Sequence, residues 1–495
     1  MTSQGDAGVH DINRRDVIST GVSGLDEILR GGLPHARLYL VEGEPGTGKT
    51  TLGLQFLIEG ARHGESVLYV SLSQTRAELE QIAASHGWSL DGINIQELQT
   101  ADTLEGAGNQ SIFHSADIRL DRTRELVENA IAQHAPKRVV YDSLLEIRQI
   151  ASDHMRYRRE LLGFKSLLNK SQITAIIIDS PVEYGGDKQL EGLAHGIIHL
   201  EKELPEYGIA RRRMEIRKMR GVGFADGYHD MSIRRGMGVN VYPRIVPDLA
   251  SEADHGDLIK SGLDPLDEML GGGMEGGTTT LITGQAGTGK STLASLYALA
   301  ALQRGESVAM YLFEERLETL FRRSAGLGLN LRPYYESRQL TISDFNPAEI
   351  SAGEFSLIVR EAVDDRNTRV VVIDSFTGYL SALPKSDQAV TQIQSLLKYM
   401  ARRGVLSILI VAQHGLVGQN VGIDVDVSFV GDTVLLLRMH EAPGMLRRSI
   451  SIVKKRHGPH GLDVREMTIN EKGVSIEPFN PAPVGAPGFV VHAQS

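Results

Sequence analysis

The chain has 495 residues, 41% of them hydrophobic, with a formal net charge of -10 at pH 7 and no cysteine. Such a chain can bury two full cores, and no apolar run approaches the roughly 20 residues of a membrane-spanning helix. The acidic charge argues against a nucleic-acid partner, and the lack of cysteine excludes disulfides and thiolate metal sites. Residues 1–15 are polar and lack the apolar core of a signal peptide, so we expect a cytoplasmic protein without a membrane partner.

The first half of the chain predicts alternating strands and helices around a buried parallel sheet. Short apolar runs predict strands at 38–43, 67–72, 138–142 and 173–178, and apolar residues at helical spacing predict a helix over 52–60. Between the first strand and this helix lies a segment that fits G-x-x-x-x-G-K-[ST], namely Gly43-Glu44-Pro45-Gly46-Thr47-Gly48-Lys49-Thr50. The first half is therefore predicted to be an α/β domain with a phosphate-binding loop.

This loop predicts a nucleotide site. Its glycines let successive backbone N–H groups close around phosphate oxygens, its lysine meets the terminal phosphates, and its last hydroxyl is placed for Mg²⁺. The predicted strand at 138–142 ends in Asp142, the Walker B pattern, which can hold Mg²⁺ through its water shell. We expect Mg²⁺ at Thr50 and Asp142, and the nucleotide at Gly46, Thr47, Gly48, Lys49, Thr50 and Thr51.

The second half of the chain repeats the first. Aligning Lys49 with Lys290 gives an offset of 241 residues that holds without a gap over a long stretch. Beyond that stretch the loops differ in length, and the correspondence between the halves resumes at Asp142 and Asp374 and again at two Lys-x-Arg segments. A period this long fits two whole domains, which we place at residues 1–247 and 248–495.

The second half carries the same nucleotide-binding elements. Strands are predicted at 280–284, 308–313, 370–374 and 406–411, with a helix over 293–301. The segment Gly284-Gln285-Ala286-Gly287-Thr288-Gly289-Lys290-Ser291 again fits the phosphate-loop pattern. We expect Mg²⁺ at Ser291 and Asp374, and the nucleotide at Gly287, Thr288, Gly289, Lys290, Ser291 and Thr292.

A catalytic base is predicted in the second half. Glu314-Glu315 follows the strand at 308–313, at the carboxyl end of a parallel sheet, where ligands of such sheets bind. One of these carboxylates, with Lys290 at the terminal phosphates, can orient and deprotonate a nucleophile that attacks the γ-phosphate. The other interpretation is an acidic pair stabilised by a helix N-terminus. At the same offset the first half has Ser73-Gln74, and neither residue is a base of carboxylate strength.

The chain resembles the KaiC family, the double-domain RecA-like ATPases best known from the cyanobacterial circadian clock. The resemblance spans nearly the whole chain and rests on the elements above and on two opening motifs, Thr20-Gly21-x-x-Gly24-Leu25-Asp26 and Ser261-Gly262-Leu263-Asp264-x-Leu266-Asp267. It implies two tandem RecA-like P-loop NTPase domains of α/β class with mainly parallel central sheets. It also implies a double-ring homohexamer with ATP between subunits, in which four cations reach the nucleotide of the neighbouring subunit, namely Lys218, Arg220, Lys454 and Arg456.

Three departures from the family pattern limit what the resemblance implies. The family's first ring normally has a glutamate pair where this chain has Ser73-Gln74, so hydrolysis in the first half is not implied. The family's autophosphorylation segment has adjacent Ser and Thr acceptors, whereas this chain has Ser428 and Phe429, which leaves Ser428 as the expected phosphoacceptor. The tail at 479–495 is rich in Pro, Gly and Ala and has no amphipathic helix for a clock activator.

We interpret the chain as an ATPase and serine/threonine autokinase that acts as a nucleotide- and phosphorylation-state switch. The resemblance implies a signalling partner, either a KaiB-like protein or a histidine kinase or response regulator. Two alternatives use the same core: a RecA-like DNA-dependent ATPase, such as a recombinase or helicase-like motor, and a non-catalytic ATP-gated scaffold. The first alternative is disfavoured by the acidic charge and by the lack of a loop that combines basic and aromatic residues for stacking single strands.

Overall fold

The computed structural model of the protein describes residues 17–98, 112–151, 154–180, 188–205, 208–246, 256–382, 387–413, 430–442 and 445–479. The chain forms two compact units, residues 1–244 and 245–495. Each unit is an α/β domain built on a nine-stranded sheet. The predicted α/β class, two tandem domains with mainly parallel central sheets, is confirmed.

The first unit begins with a short two-stranded ribbon and continues into the large sheet. Its strands are β1 (Val17–Ile18), β2 (Leu33–Pro34), β3 (Leu38–Gly43), β4 (Val67–Ser71), β5 (Ile93–Glu97), β6 (Arg138–Asp142), β7 (Thr174–Asp179), β8 (Gly196–Glu203), β9 (Arg211–Met219), β10 (Tyr228–Arg234) and β11 (Gly238–Tyr242). Its helices are α1 (Ser23–Ile28), α2 (Lys49–Arg62), α3 (Arg76–Ser85), α4 (Ile112–His134), α5 (Leu144–Ile150), α6 (His154–Lys170) and α7 (Lys188–Leu193).

The second unit has the same succession of elements. Its strands are β12 (Leu258–Ile259), β13 (Met274–Glu275), β14 (Thr279–Gly284), β15 (Ser307–Leu312), β16 (Leu340–Asp344), β17 (Thr368–Asp374), β18 (Leu406–Ala412), β19 (Thr433–Ala442), β20 (Met445–Lys455), β21 (Arg465–Asn470) and β22 (Gly473–Pro478). Its helices are α8 (Asp264–Met269), α9 (Lys290–Gln303), α10 (Leu317–Gly326), α11 (Arg332–Glu336), α12 (Ala352–Arg366), α13 (Phe376–Ala382) and α14 (Asp387–Arg402), with a 3₁₀ turn at Pro347–Glu349.

The two large sheets have one topology. The strand order is β5-β4-β6-β7-β3-β8-β9-β10-β11 in the first and β16-β15-β17-β18-β14-β19-β20-β21-β22 in the second. The first six strands of each order pair in parallel, and the last three extend the sheet in antiparallel pairs. In each sheet the strand that leads into the phosphate loop, β3 or β14, therefore lies among parallel neighbours.

The central strands are buried along their whole length because helices cover both faces of each sheet. All six residues of β3 are buried. Tyr39 and Val41 pack on the core that includes Phe56 of α2, whereas Leu38 and Leu40 pack on the core of the opposite face. For this reason β3 lacks the alternation of apolar and polar residues that is typical of a half-exposed strand, and its sequence begins with four consecutive apolar residues.

The opening motifs have a structural role. The Asp26 carboxylate accepts hydrogen bonds from the Ser19 hydroxyl at 2.7 Å, the Thr20 N–H at 2.9 Å and the Thr20 hydroxyl at 2.6 Å. In the second unit the carboxylate of Asp267 accepts from the Ser261 N–H at 2.8 Å. The aspartate of each motif thus holds the segment that precedes α1 or α8, which explains why both copies contain it.

Arg138, at the start of β6, links three segments of the first unit. It is 2% exposed and forms an ion pair with Glu65. Its Nη1 donates to the Ser19 carbonyl at 2.7 Å and to the Phe56 carbonyl at 3.0 Å, and its guanidinium carbon lies 4.9 Å from the centre of the Phe56 ring. One buried cation therefore satisfies a carboxylate and two carbonyl groups.

Replacing Arg138 by Met should lower the free energy of unfolding by about 3–5 kcal/mol, because it leaves a partly buried carboxylate and two carbonyl groups without their donor. Denaturant titration of the full chain, followed by circular dichroism, measures this loss. Lys137→Met is the matched control, since Lys137 is the exposed neighbour. Equal unfolding midpoints for the two variants would show that the Arg138 contacts contribute no stability.

Candidate nucleotide-binding sites

The first phosphate loop connects β3 to α2 at the carboxyl end of the sheet. Gly46 has a φ of 78° and Gly48 a φ of 107°, a left-handed conformation that glycine adopts readily. A Cβ atom on Gly48 would also lie 2.5 Å from Cδ1 of Ile233, so a larger residue would require that side chain to move. The loop ends where α2 begins, and the positive end of that helix dipole favours a bound anion.

The loop lysines are held in the same way in both units. Nζ of Lys49 donates to the carbonyl oxygens of Gly43 at 2.5 Å and Glu44 at 3.0 Å. Nζ of Lys290 makes the equivalent two hydrogen bonds in the second loop, both of 2.8 Å. Burial lowers the pKa of both lysines, and nearby carboxylates oppose this shift. Both ammonium groups therefore lie within the loop that is expected to surround the phosphates.

The hydroxyl at the end of each phosphate loop lies close to the Walker B aspartate of the same unit. The Thr50 hydroxyl donates to Oδ2 of Asp142 at 3.0 Å, and the Tyr69 hydroxyl donates to the same oxygen at 2.6 Å. In the second unit, burial raises the pKa of Asp374, and a hydrogen bond with Ser291 opposes this shift. A hydroxyl and a carboxylate are oxygen ligands of the kind that Mg²⁺ prefers, so both pairs fit this metal.

A cleft of about 780 Å³ opens beside the second phosphate loop. In this cleft the loop lies beside the two glutamates predicted to include the catalytic base and beside the end of β17. Its lining residues are Gly287, Gly289, Lys290, Ser291, Thr292, Glu314, Glu315, Arg316, Thr319, Arg323, Asp374, Arg448 and Ile469. The cleft is thus lined by the second loop, both glutamates, the Walker B aspartate and three arginines.

The two glutamates have different partners in this cleft. The Ser375 hydroxyl donates to Oε1 of Glu314, and the Gly378 N–H donates to the Ser375 oxygen at 3.0 Å. Glu315 instead forms two hydrogen bonds with Arg323, Nε to Oε1 at 3.0 Å and Nη2 to Oε2 at 2.8 Å. Among the described residues, neither carboxylate has a side-chain hydrogen bond to an N–H group at the start of α10. Both glutamates lie just before the start of α10, so the interpretation of an acidic pair at a helix N-terminus stays a prediction.

In the first unit, Ser73 and Gln74 correspond to the two glutamates, and they lie in the bent segment between β4 and α3. The Ser71 hydroxyl donates to the Gln74 carbonyl at 2.5 Å, and the Gln74 N–H donates to the Ser71 hydroxyl oxygen at 3.1 Å. The side-chain Oε1 of Gln74 is buried and has no hydrogen-bond partner among the described residues. The first unit therefore has an amide where the second unit has a carboxylate.

Comparison with known proteins identifies the family. The family model described as KaiC ATPase matches residues 18–245 and again residues 259–480. The chain belongs to the KaiC ATPase family. It is similar to the circadian clock oscillator protein KaiC of Thermostichus vulcanus, with 29% identity over 93% of this chain and 88% of that protein. It is also similar to the circadian clock protein KaiC3 of Synechocystis sp., with 26% identity over 93% of this chain and 92% of that protein.

In this KaiC-family ATPase the four cations expected to act between subunits have local partners. Lys218 donates to the Glu191 carbonyl, and Arg220 donates to the Gly192 carbonyl at 3.0 Å. Lys454 donates to the Gly431 carbonyl at 2.7 Å, and Arg456 donates to the Asp432 carboxylate at 3.1 Å. Neither Lys454 nor Arg456 is among the described residues that line the second cleft. Within one KaiC-family chain, these two cations therefore do not join that phosphate loop.

Two further arginines of this ATPase approach the loops and were not identified from the sequence. Nε of Arg448 donates to the Gly287 carbonyl at 3.1 Å, and Arg212 lies 3.4 Å from the Gly46 carbonyl oxygen. Each stands six residues before the lysine of a Lys-x-Arg segment, Lys454 or Lys218. The repeat contains this signal, because Arg212 and Arg448 occupy corresponding positions in the two units. Arg323 of the second cleft has no such counterpart and was also missed.

Some expectations for this ATPase fall outside the described residues. Ser428 and the tail beyond Phe479 belong to this group. Within the described ranges, no group of three or more His, Asp or Glu side chains is arranged to hold a metal ion. No helix in those ranges combines the length and the hydropathy that a membrane span needs.

Proposed function

We propose that this KaiC-family ATPase performs ATP hydrolysis and phosphate transfer in its second unit, and that the first unit mainly binds nucleotide. One observation carries this proposal: a cleft of about 780 Å³ holds Glu314 together with Lys290 and Asp374. A phosphate-binding cation, a metal-binding carboxylate and a free carboxylate base are the parts that phosphoryl transfer requires. In the first unit Ser73-Gln74 stands where the base would be.

The phosphate loop, the Walker B aspartate and Glu314 have separate roles in the proposed reaction. The N–H groups of the second loop and Lys290 hold the terminal phosphates, and the positive end of α9 adds to the binding. Ser291 and Asp374 would hold Mg²⁺, which neutralises charge on the phosphates when bound. Glu314 accepts a proton from the attacking water as the water oxygen bonds to the γ-phosphorus. The bond from that phosphorus to the bridging oxygen breaks, and ADP leaves with the electron pair.

A serine hydroxyl replaces water in the proposed autokinase reaction. Ser428 is the proposed acceptor, on the strength of the family resemblance alone, and its hydroxyl proton would pass to Glu314. In the proposed homohexamer the acceptor and the nucleotide come from adjacent subunits, with Lys218, Arg220, Lys454 and Arg456 donated across the interface. A phosphate on Ser428 adds roughly -1.5 to -2 charge beside Asp424 and Asp426, and the repulsion would reshape the ring for a signalling partner.

Incubation with γ-labelled ATP tests both activities at once. Wild-type protein should release labelled phosphate and should also retain label on Ser428, detected by mass spectrometry as at most one phosphate in residues 424–433. Ser428→Ala should lose the retained label but should still release labelled phosphate, because water can take the place of the hydroxyl. Glu314→Gln should lose both. Label mapped elsewhere, or release without any retained label, would refute the autokinase and leave an ATPase.

A further inference from the structure

We propose that Arg323 is a positioning residue that neutralises Glu315 and thereby leaves Glu314 as the one carboxylate of the pair that acts on the nucleophile. This inference rests on the proposed function of the second cleft and divides the roles within it. Sequence reasoning treated Glu314 and Glu315 as equivalent. In the structure Glu315 pairs with a cation and Glu314 with a neutral hydroxyl, and this difference decides which carboxylate has no cationic partner.

The ion pair of Arg323 and Glu315 has the geometry of a strong one. Two parallel N–H···O bonds of 3.0 and 2.8 Å join the guanidinium to both carboxylate oxygens. The two side chains are only 26% and 19% exposed, so solvent screens them less than a surface pair. A bidentate arginine–carboxylate pair is both stronger and more directional than a single hydrogen bond. Glu315 therefore has its charge offset and its oxygens occupied.

The helix α10 fixes the direction of Arg323. Glu315 lies just before this helix, and Arg323 stands in its last turn, beside the buried side chains of Leu320 and Ser324. Nη1 of Arg323 also reaches to 3.4 Å from the hydroxyl oxygen of Thr292, at the start of α9. The guanidinium is thus placed between the end of β15 and the phosphate loop, inside the cleft rather than on the outer surface.

Glu314 has a different environment. Its contact is with the hydroxyl of Ser375, which is neutral, and the Gly378 N–H bonded to the Ser375 oxygen turns that hydroxyl proton toward Glu314. Among the described residues no Lys, Arg or His forms an ion pair with Glu314. Because a neutral hydroxyl orients a carboxylate without cancelling its charge, Glu314 keeps a charged oxygen available to accept a proton.

The repeat supplies an independent observation. At the gap-free offset of 241, Arg323 corresponds to Ile82 and the glutamate pair corresponds to Ser73-Gln74. The arginine is thus present in the unit that has two adjacent carboxylates and absent from the unit that has none. This is the pattern expected of a counter-ion for Glu315, and a general phosphate-binding cation would be expected in both units.

There is also an electrostatic reason to neutralise one carboxylate. Two adjacent negative charges at the edge of a cleft that binds a triphosphate repel the ligand, and the repulsion grows as water is excluded. Without Arg323, the charge of Glu315 would oppose ATP binding, and its free oxygens would compete with Glu314 for the nucleophile. With Arg323 in place, one base is oriented and the second negative charge is cancelled.

A mutational cycle tests the inference. Arg323→Ala should lower kcat about 10- to 100-fold, the usual effect of removing a partner that orients an active-site group, and should raise KM for Mg-ATP. Adding Glu315→Gln to Arg323→Ala should restore both values to within a few-fold of Glu315→Gln alone, because glutamine needs no counter-ion. Arg322→Ala, on the exposed side of the same helix, is the matched control and should behave as wild type. Thermal unfolding checks that every variant is folded.

Three outcomes would overturn the inference. If Glu315→Gln fails to rescue Arg323→Ala in a folded protein, Arg323 acts directly on the phosphates or serves only the structure. If Glu315→Gln abolishes turnover and Glu314→Gln does not, the roles are reversed. If the wild type binds ATP but releases no phosphate, the proposed function fails, and the affinity for a fluorescent ATP analogue replaces kcat as the measured quantity. In that assay, a loss of affinity in Arg323→Ala that Glu315→Gln does not reverse would refute the neutralising role.

Discussion

Glu314→Gln should lower ATP turnover by about 10²- to 10⁴-fold, the typical contribution of a general base. The substitution keeps the size of the side chain and its hydrogen bond with Ser375 but removes the oxygen that accepts the proton. Single-turnover phosphate release at saturating ATP measures the effect on the chemical step. ATP affinity, measured separately, should change little, because in the proposed site Lys290 and the loop N–H groups contact the phosphates and Glu314 does not.

The first unit provides the comparison for this prediction. Changing Ser73 and Gln74 to Ala should cost much less turnover than Glu314→Gln, since neither side chain has carboxylate basicity. The double variant Glu314→Gln, Glu315→Gln should be no more active than Glu314→Gln alone. If the Ser73 and Gln74 changes prove more damaging than loss of Glu314, the assignment of the catalytic unit is wrong.

Mixing two inactive variants should restore turnover if each nucleotide lies between subunits. Lys290→Ala lacks a phosphate-binding lysine, and the double variant Lys454→Ala, Arg456→Ala lacks the cations expected in trans. Each alone should lose at least about 10³-fold in turnover, the scale of an arginine finger. In randomly mixed rings, about one site in four combines an intact loop with intact cations from its neighbour. Turnover of an equal mixture should therefore rise far above that of either variant.

This complementation has its own controls. Lys472→Ala removes an exposed lysine of the same unit and should keep full turnover. Solution mass measurement should show that ATP with Mg²⁺ shifts the wild type from small species to a hexamer. A monomer at micromolar concentration with saturating ATP, or a mixture no more active than its components, would contradict the site between subunits.

Much of the fold and of the nucleotide site was predictable from the sequence because the responsible signals are local. A phosphate loop depends on glycine φ angles and on a lysine at a fixed spacing, and both occur within eight consecutive residues. Uninterrupted apolar runs predict buried parallel strands, because a strand covered on both faces has no polar side. The duplication raised the specificity further, since the phosphate loop has a copy at the offset of 241 and the later elements have copies where the correspondence resumes.

The tertiary structure alone decided which partners each glutamate has. Glu314 and Ser375 are 61 residues apart, and they meet because β15 and β17 are parallel neighbours, with Leu312 opposite Asp374. Strand order in a sheet depends on crossover connections and packing, which hydrophobic periodicity does not encode. Arg323 reaches Glu315 only because α10 turns it toward the cleft. The sequence by itself determined two nucleotide-binding α/β domains and the adjacent glutamates, whereas the three-dimensional arrangement of strands and helices gave those glutamates different partners.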